Sequence, residues 1–128
     1  MKTIIIMGST SDEPHAKKIT ARLDEYGIAW EQHAASAHKT PLKVLDILEA
    51  NKDRSGIVYV TIAGRSNALS GFVAANTEFP TLGCPPFSDK SDMLVNIHYT
   101  LQMPSNTPVL TVIDPGNCAL AVKRIFGA

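Results

Sequence analysis

Apolar residues along this 128-residue chain fall into two alternating rhythms. "TIIIM" (3–7) is a short β-branched run closed by Gly8, the signature of a strand buried on both faces. From Glu13 the rhythm changes. Ala16, Ile19, Leu23 and Tyr26 recur at three- and four-residue steps, which predicts an amphipathic helix. Asp12 stands where an N-cap belongs, Pro14 lies just inside the start, and Gly27 follows the last turn. The alternation then repeats. "IAWEQHA" (28–34) reads as a strand, and Pro41 opens a helix with Val44, Ile47 and Leu48 on one face. "GIVYVTIA" (56–63) is the strongest strand, followed by a short helix around Leu69 to Ala75. "PTLGC" (80–84) is the fourth strand, and Leu94, Ile97, His98 and Leu101 mark an apolar helix face behind it. "VLTVID" (109–114) is the fifth strand, and a last helix carries Val122, Ile125 and Phe126.

Strands alternating with helices imply parallel pairing, because each helix is the crossover that returns the chain. Right-handed crossovers leave few topologies. The expected fold class is α/β: a three-layer, doubly wound sheet of five parallel strands in the flavodoxin-like order 2-1-3-4-5. In such a sheet, ligands bind beyond the carboxyl ends of the strands where the winding reverses. Here that point lies between the first and third strands.

Composition narrows the class. The length argues for one domain, residues 1–128, able to bury roughly two-thirds of its unfolded surface. Twelve basic and twelve acidic residues cancel, so neither nucleic acid nor an anionic membrane is an expected partner. No apolar run approaches the roughly 20 residues that span a bilayer. "MKTIIIMGS" is too short in its apolar part for a signal peptide and reads as the first strand. Cys84 and Cys118 form no CxxC and no metal spacing, and two free thiols are expected.

The chemistry-bearing residues crowd one edge. "GSTSD" (8–12) combines a glycine, three hydroxyls and a helix start, which suits a phosphate, although it lacks the lysine of a P-loop. Asp12 would repel a phosphate set against it, so it is either an N-cap or a partner for sugar hydroxyls. "SAHKTP" (36–41) offers the imidazole of His38 beside the cation of Lys39. His38 is either a solvated loop histidine or a proton shuttle near neutral pH. In "AGRSN" (63–67), small residues permit close backbone approach, and Arg65 is either a carboxylate partner or a surface arginine. His98 is expected in the core, and His15 and His33 have no evident partners. Cys118, near a helix start, is either a thiol of lowered pKa or a buried structural cysteine.

"MGSTSD", "SAHKTP" and "AGRSNALSG…PTLGCPPFSD", in this order and at these separations, resemble the phosphoribosylaminoimidazole carboxylase family of purine biosynthesis. The likeness runs from residue 4 to residue 127, through "LQMPSNTP" and "RIFG". The resemblance implies the doubly wound fold, a cytoplasmic homo-oligomer (tetramer or octamer), and a ribonucleotide substrate. The family has two classes. Its mutase class carries an arginine after the loop histidine and Gly-Gly-Ala-Ala-His-Leu after the third strand. This chain has Lys39 and "GRSNAL" there, and so looks like the second class, which carboxylates aminoimidazole ribonucleotide directly with carbon dioxide, without cofactor, ATP, biotin or metal.

Carried over by position, the resemblance implies that Ser9, Ser11, Ser36 and Lys39 hold the substrate phosphate beside Gly8. It implies that Asp12 holds the ribose hydroxyls and that His38 is the general acid/base. It also implies that Gly64, Arg65, Ser66 and Asn67 line the carbon dioxide and carboxylate pocket. Family members usually continue past "RIFG" into a further helical segment that embraces neighbouring subunits; the sequence here reads to Ala128 without it. Three other readings stand beside the carboxylase. They are a mutase acting on the N-carboxylated ribonucleotide, a flavodoxin-like carrier with flavin phosphate on "GSTSD", and an inactive assembly subunit. Against the carrier, only Phe87 among the loop residues could sandwich a flavin ring.

Overall fold

A computed structural model describes residues 1–128. Five strands form one wholly parallel sheet: β1 (Lys2–Met7), β2 (Ala29–Ala34), β3 (Ile57–Ile62), β4 (Thr81–Gly83) and β5 (Leu110–Thr111). Their order is β2-β1-β3-β4-β5, as the alternation of rhythms predicts. Lys2 of β1 stands opposite Ala29 of β2 and Ile57 of β3, so the first three strands end level at Met7, Ala34 and Ile62. That common end sets the first three loops side by side.

Because neighbouring strand residues face opposite ways, β1 feeds two cores. Ile5 and Met7 join Val58, Val60 and Ile62 beneath α1 (Glu13–Glu25) and α6 (Pro115–Phe126). Ile4 and Ile6 join Tyr59 beneath α2 (Pro41–Asn51) and α3 (Leu69–Ala75). Ile4, Ile5 and Ile6 are wholly buried, each contributing about 1.5–3 kcal/mol by leaving water. The helix α1 ends as its sequence dictates. Gly27 takes φ +69°, its N–H bonds Asp24 O at 3.0 Å, and Ile28 N–H reaches Leu23 O at 2.9 Å, stapling two core side chains.

Several local expectations fail for physical reasons. Asp12 does not cap α1; it closes a single 3-10 turn, Thr10–Asp12, and Ser9 caps that turn instead. His33 does have a partner. Its Nε2 lies 2.7 Å from Glu31 Oε2, and Glu31 is also 3.0 Å from Lys2 Nζ, on edge strand β2. The fourth helix divides into α4 (Lys90–Asn96) and α5 (His98–Leu101), and its apolar stripe faces out. Leu94 is 65% exposed, Leu101 is 57% exposed, and His98 is exposed rather than in the core. The inward face belongs to Asn96, bonded to Asp92, and Thr100, bonded to Ile97 O at 2.8 Å. Polar side chains that satisfy themselves locally can be buried, so the apolar period marked the wrong face. β5, at the opposite edge from β2, keeps only two laddered residues, with Leu110 and Ile113 open to solvent.

Candidate active site

The helix after β1 packs on one face of the sheet and the helix after β3 on the other, so the loops at their ends part and leave a cleft. Its volume is about 350 Å³. Three loops line it: residues 8–12 after β1, residues 36–38 after β2 and residues 63–69 after β3. Gly8, Ser9, Ser11, Asp12, Ser36, His38, Gly64, Arg65, Ser66 and Asn67 are therefore brought together, from sequence positions as far apart as 8 and 67. Lys39 is not among the lining residues; it sits exposed at the rim, one residue beyond His38.

The first loop leaves the sheet in register, with Gly8 N–H bonded to Ile62 O at 2.8 Å. A Cβ at Gly8 would stand 3.5 Å from Ala63 Cβ, so the first and third loops touch there through small residues. Ser9 Oγ accepts from Ser11 N at 3.2 Å and from Ser11 Oγ at 2.9 Å. Its own hydroxyl proton is left for an outside oxygen. Burial pushes the Asp12 carboxyl up, opposed by the Ser9 backbone N–H and the charge of His15.

The second loop is a tight serine turn. Ser36 Oγ accepts from His38 N at 3.2 Å and Lys39 N at 3.1 Å. Thr40 Oγ1 accepts from Ser36 N at 2.8 Å, and Thr40 N–H bonds Ser36 O at 2.9 Å. Thr40 stands in the "SAHKTP" stretch but is given no role there from the sequence, although hydroxyls four residues apart beside a proline are a turn signal. The turn holds His38 at the mouth of the cleft, with Nε2 2.9 Å from Ser66 O in the third loop.

The third loop is anchored from below. Asn67, 4% exposed, accepts from Ser70 N at 3.2 Å through Oδ1 and donates to Ser70 Oγ at 2.9 Å through Nδ2. Ser70 Oγ is in turn 3.0 Å from Thr61 Oγ1 in β3. Asn67 thus caps the start of α3, and its amide is committed to the protein. Ser70 and Thr61 were also missed, because only the fold brings a strand hydroxyl under a helix start. Arg65 is 85% exposed, and its Nε lies 3.9 Å from Asp92 Oδ1 at the start of α4. The Ser88 backbone N–H beside Asp92 lowers that carboxyl's pKa.

A larger cleft, about 780 Å³, opens over the ends of β4 and β5. It contains Phe87, whereas no Phe, Tyr or Trp lines the cleft between β1 and β3. His15 borders the larger cleft and has a partner after all: its Nε2 is 3.0 Å from Cys84 O and 3.6 Å from Cys84 Sγ. Cys84 and Cys118 are both free and buried. The Cys118 thiol is pushed up by its hydrogen bond with Cys84 and by burial, so it is the structural cysteine and not the activated one. The smaller cleft is the stronger candidate, because four serines, an imidazole and a carboxylate converge there at the winding reversal.

Fold and cleft together define a flavodoxin-like α/β protein whose candidate cleft lies at the winding reversal. The chain belongs to the AIR carboxylase family, an enzyme family of purine biosynthesis, whose model matches residues 2–128. It is 48% identical over 126 residues to a phosphoribosylaminoimidazole carboxylase of Archaeoglobus fulgidus, covering 98% of this chain and 69% of the relative. It is 46% identical over 125 residues to one from Treponema denticola, covering 96% of this chain and 77% of the relative. The crystal structure of Treponema denticola PurE superposes with a TM-score of 0.90 at 44% identity, covering 98% of this chain and 80% of that one. No helix of the protein is long and apolar enough to cross a membrane.

Proposed function

We propose that this chain is a direct carboxylase of 5-aminoimidazole ribonucleotide, joining carbon dioxide to the ring carbon to give 4-carboxy-5-aminoimidazole ribonucleotide, reversibly. The observation that carries the reading is the make-up of the third loop, which would face the incoming carboxyl. It offers Gly64, Arg65, Ser66 and Asn67 with no second histidine, so His38 is the one imidazole lining the cleft. Two relatives bear the name carboxylase, in keeping with this reading.

Each cleft group has a task in that reaction. Ser9, with Ser36, would donate to the phosphate near the first helix start, Ser11 would turn its hydroxyl from Ser9 to join them, and Lys39 would swing from the rim to neutralise it. Asp12, which also lines the cleft, would accept from the ribose hydroxyls. Gly64 leaves open space where a Cβ would stand, room for a carbon dioxide molecule. The ring is an enamine, and its free carbon attacks carbon dioxide. The new carboxylate is met by third-loop N–H groups and the Ser66 hydroxyl. His38 then takes the proton from that carbon and the ring regains aromaticity. Orientation contributes much, since carbon dioxide offers few handles. Neither ATP nor biotin nor a metal has a part in this scheme.

The protein would work as a cytoplasmic homo-oligomer. Leu94, Val95, Tyr99 and Leu101 form an exposed apolar face on α4 and α5, close to the third loop through a groove that Asn67 and Ala68 share with Val95 and Tyr99. A flavin carrier is disfavoured, because the phosphate-type loop and Phe87 belong to different clefts.

The deciding experiment varies the carboxyl source. Bare aminoimidazole ribonucleotide plus carbon dioxide, without ATP, should give the ring-carboxylated product. Carbonic anhydrase should alter the rate by changing the carbon dioxide supply. Product formed from the N-carboxylated isomer faster than that isomer decays, and insensitive to carbon dioxide removal, would make the protein a mutase.

A further inference from the structure

We infer that Ser66 is a positioning residue: its backbone carbonyl fixes the proton of His38 on Nε2 and leaves Nδ1 as the nitrogen that takes the proton from the substrate ring. This rests on the carboxylase reading above and names the reacting atom within it. A carbonyl oxygen only accepts, so the 2.9 Å contact between His38 Nε2 and Ser66 O requires a proton on Nε2. A neutral imidazole carries one ring proton, so Nδ1 is then bare. No protein group hydrogen-bonds Nδ1, and the His38 backbone N–H is occupied by Ser36 Oγ. The one basic ring atom therefore has no competitor within the protein.

The carbonyl is aimed by an unusual backbone. Ser66 has φ +49°, the left-handed region that a residue with a Cβ occupies only against steric strain. The second such residue, Asn106, is of a type that tolerates this region and sits in an exposed turn. Ser66 is neither. Its conformation is held by the next residue, since Asn67 is clamped to Ser70 and through it to Thr61 of β3. Strain kept by a buried anchor and directed at a candidate base is the pattern expected of a functional constraint.

The proton step balances on these atoms. The ring carbon bonds the carbon of carbon dioxide, and one C–O π pair moves onto oxygen to make the carboxylate. Positive charge is left on the exocyclic nitrogen. The Nδ1 lone pair then takes the proton from the ring carbon, and the C–H pair returns to the ring. His38 becomes an imidazolium whose Nε2–H still donates to Ser66 O, now as a charge-assisted bond. In the decarboxylating direction the same proton returns from Nδ1.

The test is ¹⁵N NMR of the histidine rings in the whole labelled protein, at a pH where His38 is neutral, with His38→Asn supplying the assignment. His38 should show one tautomer, with Nε2 protonated and Nδ1 bare. Ser66→Gly, which accepts positive φ freely, should keep that tautomer. Ser66→Val, whose branched Cβ resists the left-handed region, should give a mixture and lower kcat by about 10–100-fold, part of the full worth of a general base, with a smaller change in KM. A wild-type spectrum with Nδ1 protonated or with mixed tautomers would overturn the inference. So would an unchanged tautomer in Ser66→Val, or its loss in Ser66→Gly. Should Ser66→Val not fold, the wild-type and Ser66→Gly spectra still decide. Near-normal turnover by His38→Asn would also overturn the inference, whereas the carboxylase reading fails separately, on product formed from the N-carboxylated isomer and insensitive to carbon dioxide removal.

Discussion

The Asn67–Ser70–Thr61 network can be weighed by a double-mutant cycle, because the structure says which bonds each truncation removes. Asn67→Ala loses two hydrogen bonds, from Ser70 N at 3.2 Å and to Ser70 Oγ at 2.9 Å. Each is worth about 1 kcal/mol net. It also strands the Ser70 N–H in the first turn of α3, where no helical carbonyl can receive it. A buried orphan of that kind costs about 1–3 kcal/mol. The sum predicts a loss of about 3–5 kcal/mol, or a Tm drop of roughly 12–20 °C at about 4 °C per kcal/mol for a chain of this length. Ser70→Ala removes the hydroxyl shared by Asn67 and Thr61, while Thr61 Oγ1 keeps Leu82 O at 3.4 Å. A loss of about 1–2 kcal/mol follows. Because the residues share one bonded network, the double variant should lose less than the sum, with a coupling of about 1 kcal/mol. Urea unfolding of all four proteins at one protein concentration measures it, which keeps any subunit association equal across the set. Asn67→Ala should also lower kcat, since the anchor of the Ser66 carbonyl is gone. Additive losses, with coupling below about 0.3 kcal/mol, would refute the network as a unit.

Three other outcomes follow from particular groups. Burial raises the Asp12 pKa, so folding disfavours its charge: the penalty is full above the folded pKa and absent below the unfolded one. Asp12→Asn should therefore be more stable than wild type at pH 7, the gain fading as pH falls through the carboxylate range, while ribonucleotide affinity drops; calorimetry across pH and ligand titration check both. The Tyr59 hydroxyl is buried without a hydrogen-bond partner, and burial pushes its pKa up to about 12. Tyr59→Phe should raise stability by about 1 kcal/mol, and a loss in urea unfolding would reveal an unseen partner for that hydroxyl. Leu94→Glu with Val95→Glu, both more than half exposed, should leave the monomer fold intact by circular dichroism while light scattering shows a smaller particle; unchanged mass would remove this face from the assembly.

Periodicity carried most of the architecture. A β-branched run at residues 3–7 and an apolar run at 56–63 can be buried only at the centre of a sheet, and amphipathic helices between strands oblige parallel crossovers. The strand order, the winding reversal and the three loops of the cleft follow from that, and His38, Ser36 and Gly64 lie in those loops. These are local consequences of which side chains avoid water, and they can be read in chain order.

Tertiary structure decided whatever depends on two distant segments meeting. It brought His38 Nε2 to Ser66 O across 28 residues, and it placed Thr61 beneath Ser70 to brace Asn67. It kept Lys39 at the rim, gave His15 its bond to Cys84, and left the apolar stripe of Leu94 and Leu101 facing outward. Hydrophobic period reports only that a face shuns water and is silent about what covers it. Hydrogen-bond partners are selected by distance in space, which sequence separation does not encode until the sheet has fixed where each loop ends.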